Sequence, residues 1–63
     1  MMAIEFKKGF ECWFIDSEYK YHDGQISDDG SEIEIIDSIF TIDELEQILI
    51  KMKELQNEDN NKQ

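Results

Sequence analysis

The stretch EIEIIDSIFTIDELEQIL, residues 32–49, changes its hydrophobic period partway along, and that change decides the fold. Glu32 and Glu34 alternate with Ile33 and Ile35, the two-residue period of a strand with one wet face, and Ile36 breaks the alternation. Thr41-Ile42-Asp43-Glu44 then has the form of a capping box, with a threonine to cap the first helical turn and a glutamate to reach back to it. Phe40 and Leu45 occupy the positions of a hydrophobic staple. Ile42, Leu45, Ile48, Leu49, Met52 and Leu55 recur at the helical period, so this face is expected to lie on a sheet. Asp43, Glu44 and Glu46 sit near the positive end of the helix dipole, with Lys51 and Lys53 toward the negative end.

Upstream the reading is of strands. Ile4 and Phe6 alternate with Glu5 and Lys7, and Lys8-Gly9 offers a turn. Residues 10–16 form a second expected strand with Phe10, Cys12 and Phe14 on one face and Glu11, Trp13 and Ile15 on the other. Residues 18–22, with Tyr19 and Tyr21 set against Lys20 and His22, form a third. Asp23-Gly24 and Asp29-Gly30 are strong two-residue turn signals, leaving room between them only for a short edge strand or loop around residues 25–27. The expected fold is therefore α+β: a small antiparallel sheet of three to four strands followed by one C-terminal amphipathic helix. Residues 1–56 are expected to form the domain, and residues 57–63 a disordered polar tail.

A chain of 63 residues is one domain. It buries only about 60% of the surface its unfolded form exposes, which leaves no room for a deep catalytic cleft. The lone Cys12 forms no internal disulfide and no cysteine-rich zinc site, which favours a reducing compartment. No apolar run has the length of a signal peptide or a membrane span, so a soluble, cytoplasmic protein is expected. No catalytic residues, cofactor or metal are expected. His22 beside Asp23 points to the opposite strand face, Cys12 reads as a small buried hydrophobe, and neither glycine-centred loop fits the EF-hand spacing.

Charge is the most informative feature. Sixteen acids oppose six bases, all lysines, for a formal net charge of -10. Such a field repels nucleic acid and anionic membrane and attracts basic surfaces. No base lies between Lys20 and Lys51, an interval that holds Asp28, Asp29, Glu32, Glu34, Asp37, Asp43 and Glu46. Glu32 and Glu34 project from one side of a strand about 6.6 Å apart, close to the phosphate interval of a nucleic-acid strand. These acids are the expected contacts to a basic, nucleic-acid-binding surface of another protein. Trp13 and Ile15, expected on the uncovered sheet face, and Ile50, on the outer side of the helix, are the expected apolar anchors. The alternative is a homodimer or accessory subunit formed through Trp13, with the acids serving only solubility. In size and charge the chain resembles small acidic inhibitors of phages and mobile elements, nucleic-acid mimics among them, a likeness of type that covers no motif.

Overall fold

The computed structural model describes residues 4–16 and 24–61, and the side chains of these up to residue 58. Among the described residues four strands, β1 (Glu5–Lys8), β2 (Cys12–Asp16), β3 (Gly24–Ser27) and β4 (Ile33–Ile35), precede one helix, α1 (Ile42–Asn61). The sheet is antiparallel with strands in chain order, giving the expected α+β arrangement. The strand expected at residues 18–22 lies outside the described residues. The short segment at 25–27, expected as an edge or a loop, is instead interior: β3 pairs with β2 on one side and β4 on the other. Gly24 permits this close packing, since an added Cβ would meet Ile15 Cδ1 at 3.0 Å and the Glu34 carbonyl oxygen at 3.3 Å.

Both described turns differ from the two-residue sites expected. Gly9 N–H donates to Cys12 C=O at 2.8 Å, so the β1–β2 turn is Phe10-Glu11 rather than Lys8-Gly9. In the β3–β4 connection the Gly30 N–H donates to Ser27 C=O at 2.9 Å, and Ser27 N–H donates to Glu32 C=O at 2.9 Å. Asp29-Gly30 is thus part of a longer loop, residues 28–31, with Gly30 at φ 75.

The register fixes which side chains meet. On the helix-facing side, Phe6, Ile15, Gly24 and Ile35 form one cross-strand row, and Lys8, Trp13, Ile26 and Ile33 form the next. Lys7, Phe14, Gln25 and Glu34 form a row on the opposite side. The expected sidedness of β2 is therefore reversed. Ile15 is buried in the core and Trp13 packs against it, while Phe14 and Cys12 lie on the side away from the helix. The physical reason is the turn: pairing Lys8 with Trp13 puts the odd-numbered residues of β2 beside Phe6.

Ile4, Ile15, Ile26, Ile48 and Leu55 form the buried core, with Phe6, Trp13, Ile33, Phe40 and Met52 packed around it. The capping box forms as expected: Thr41 N–H donates to Glu44 Oε1 at 2.7 Å, and Glu44 N–H donates to Thr41 Oγ1 at 3.2 Å. Thr41→Ala is expected to cost about 1 kcal/mol, read as a lower urea midpoint at unchanged slope. The helix continues to Asn61, through most of the segment expected as a disordered tail, so Lys51 and Lys53 lie mid-helix and its last turn holds no base.

The helix is also turned relative to its expected face. Glu44, Ile48 and Leu55 are its buried residues, whereas Ile42, Leu45 and Leu49 are exposed. This amounts to a rotation of about 70° on a wheel of 100° per residue. Two contacts hold it there. Lys51 Nζ lies 3.8 Å from the centroid of the Trp13 ring, and Gln56 Nε2 donates to Gly30 C=O at 3.0 Å.

Candidate functional site

The rotation of α1 leaves Ile42, Leu45 and Leu49 of one stripe uncovered, while Met52 of the same stripe packs on the core. Ile42, Leu45, Leu49, Met52 and Gln56 follow one another at alternating spacings of three and four, so they form a single seam along the helix. Its far end is tied by Gln56 to Gly30 in the β3–β4 loop, which places the seam on the β4 flank of the sheet. The other flank carries Gln47, Ile50, Lys51 and Glu54, which border a shallow depression with Phe6 of β1. Along the β4 flank, Ile35, Ile36, Ile39, Ile42, Leu45 and Leu49 are all exposed, Ile42 by 75% and Leu49 by 52%. Isolated exposed isoleucines are ordinary; here they form a succession running from the end of β4 through the linker into the helix.

Charge is arranged around this surface. Glu32, Glu34, Asp37, Asp43 and Glu46 are exposed, and no basic residue occurs in their interval. Asp37 stands at φ 48, in the left-handed region that turns the chain from β4 toward the helix. Among the described lysines, Lys53 is exposed one helical turn beyond Leu49. Lys7 and Lys8 are on β1, and Lys51 sits over the rings of Phe6 and Trp13. Lys7 and Lys8 are each ion-paired, with Asp16 and Asp28, and Glu5, Glu11 and Glu54 are exposed on the β1 side as well.

Two of the expected acidic contacts are engaged internally. Asp28 Oδ1 accepts from Lys8 Nζ at 2.6 Å. Asp29 Oδ1 accepts from Ser31 Oγ at 2.7 Å, Ser31 N–H at 3.0 Å and Ser27 Oγ at 2.9 Å. Those bonds, the Ser31 hydroxyl first, hold the Asp29 carboxyl below its ordinary range, so Asp29 organises the loop. On β1, the hydrogen bond and ion pair with Asp16 raise the Lys7 ammonium above its usual value. Glu32, Glu34, Asp37, Asp43 and Glu46 remain exposed, but Asp43 shares the helix stripe of Gln47, Ile50 and Glu54 on the β1 flank, so the row along β4 and the seam is shortened to Glu32, Glu34, Asp37 and Glu46.

Of the expected apolar anchors, Ile50 is exposed but lies on the β1 flank. Ile15 is buried and Trp13 faces the helix, which corrects their expected place on an open sheet face. The exposed residues that sequence reasoning assigned to the core are Ile42, Leu45 and Leu49. On the buried side in their place stands Glu44, whose carboxylate accepts from Thr41 N–H. Cys12 is a free, half-buried thiol, and His22 with Asp23 lies outside the described residues. Among the described residues no three side chains of His, Cys, Asp or Glu gather where they could hold a metal ion, and no helix is long and apolar enough to cross a membrane. No protein-family model, curated protein or solved structure matches the chain.

Proposed function

We propose that this protein is a non-enzymatic, cytoplasmic binding protein that occupies and so inhibits a basic surface of another protein, through the β4 edge and the exposed seam of α1. The observation that carries the reading is the succession of exposed apolar residues from Ile35 to Leu49, interrupted by Asp37, Asp43 and Glu46 and by no base. Apolar residues give an interface its desolvated centre, and acids around them select a partner with lysines and arginines at the rim. Nucleic-acid-binding proteins present such basic surfaces. A mimic of the phosphate backbone alone has no use for the isoleucines, so the partner's surface combines positive charge with an apolar patch.

The test uses the full chain as bait in cell lysate, beside the double variants Glu34→Lys/Glu46→Lys and Leu45→Ser/Leu49→Ser. All four positions are exposed, so folding stability is expected to change little. A partner held by the wild type should bind each variant at least about tenfold more weakly and dissociate as salt rises. A partner that ignores both variants and salt would show that the acidic β4 flank is only a solvated surface.

A further inference from the structure

The β4 edge has a backbone feature that the side chains alone do not reveal. The bond from Ser27 N–H to Glu32 C=O makes Ser27 and Glu32 a hydrogen-bonded pair. Antiparallel ladders alternate, so Gln25 and Glu34 form the next bonded pair, while Ile33 and Ile35, opposite Ile26 and Gly24, belong to non-bonded pairs. The N–H and C=O groups of Ile33 and Ile35 therefore point away from β3, toward the edge where no strand pairs among the described residues. The side chain of Ile35 is directed to the helix side and is itself partly exposed beside the α1 seam, whereas Glu34 projects from the opposite face.

We infer that β4 accepts an extended segment of the basic partner as a fifth strand, a segment that alternates apolar residues with lysine or arginine. This rests on the reading of the β4 flank as the binding surface and specifies how the partner is held. Backbone bonds to Ile33 and Ile35 supply the pairing. Side chains of the added strand on the helix side meet the seam of Leu45 and Leu49, and those on the other face meet Glu34. The opposite edge is unsuited to the same segment. By the same alternation β1 exposes the backbone of Phe6 and Lys8, and the side chain between them on the face away from the helix is Lys7, already paired with Asp16, where β4 presents Glu34. A second copy of this chain is equally unsuited. Antiparallel pairing of two β4 strands through Ile33 and Ile35 sets the Glu34 residues of the two copies directly opposite each other in a close non-bonded pair, with like charges facing.

The probe is a blocked peptide of about seven residues alternating valine and lysine, with two copies N-methylated at either the odd or the even backbone nitrogens. N–H groups of a strand point alternately to its two edges, so only one methylated copy should lose affinity, by about tenfold or more, while the other retains it. Amide exchange of the labelled full chain should slow at Ile33 and Ile35. Equal affinity for all three peptides with salt-sensitive binding would overturn strand addition and leave the acidic-surface reading standing. Protection at Phe6 and Lys8 instead would also overturn it. Failure of all three to bind at low salt would overturn both.

Discussion

Gly30→Val is expected to bring the domain close to unfolding. Gly30 holds φ 75, and a Cβ there would run into the carbonyl oxygen of Met52 and approach Leu55 Cβ to 2.9 Å. A left-handed conformation costs a β-branched residue about 1–2 kcal/mol, and forced overpacking adds about 1–3 kcal/mol. At about 0.05–0.15 kcal/mol per residue, a chain of 63 residues has about 3–9 kcal/mol of stability in total. The loss is therefore comparable to the whole. Gly30→Asn separates the two causes, because asparagine tolerates the left-handed region but still brings a Cβ against the helix backbone. Urea unfolding should place Asn between wild type and Val. If Asn proved as stable as glycine, helix α1 would not lie against this loop, and the position of the seam relative to β4 would need revision.

Ile26→Ala should cost about 2–5 kcal/mol, the range for a large aliphatic side chain deleted from a core. Ile26 is 0% exposed and sits on β3 between Trp13 and Ile33 in its cross-strand row. The neighbouring indole makes the change visible as a shift of tryptophan fluorescence as well as a lower melting temperature. Each 1 kcal/mol lowers Tm by about 4–8 °C in a domain of this size. Phe10→Ser is the contrast: Phe10 is 92% exposed at the β1–β2 turn, and its loss should change stability by no more than about 0.5 kcal/mol. An Ile26→Ala protein as stable as the Phe10→Ser protein would mean that β3 is not an interior strand.

The two substitutions also bear on the candidate surface, because the β4 edge exists only if β3 is interior and its loop is clasped by α1. A variant that loses Ile26 or Gly30 should lose partner binding with its fold. The surface variants Glu34→Lys/Glu46→Lys and Leu45→Ser/Leu49→Ser should lose binding without unfolding. Stability and binding measured together on the four proteins distinguish a residue that builds the surface from one that belongs to it.

Part of the reversed sidedness of β2 was open to simple counting. Any hairpin with a two-residue loop pairs even-numbered residues of β1 with odd-numbered residues of β2, whether the turn lies at Lys8-Gly9 or at Phe10-Glu11. Ile4 and Phe6 on the inner side therefore carry Trp13 and Ile15 with them. Treating β2 by its own alternation alone missed this, since both of its faces hold apolar residues. The interior position of β3 was harder to see, because a four-residue strand between two strong turn signals has too little length to show a period.

The local devices were legible because every group they need lies within a few residues. Thr41 and Glu44 cap the helix from three residues apart, and Ile33 and Ile35 alternate with glutamates inside β4. The ββββα order follows from that kind of information. The rotation of α1 does not: it depends on Lys51 reaching the Trp13 ring and Gln56 reaching the Gly30 carbonyl, partners 38 and 26 residues away along the chain. An apolar stripe wider than the short sheet beneath it can be seated in more than one way. Only contacts distant in sequence chose the seating that buries Glu44 and leaves Ile42, Leu45 and Leu49 beside an open strand edge.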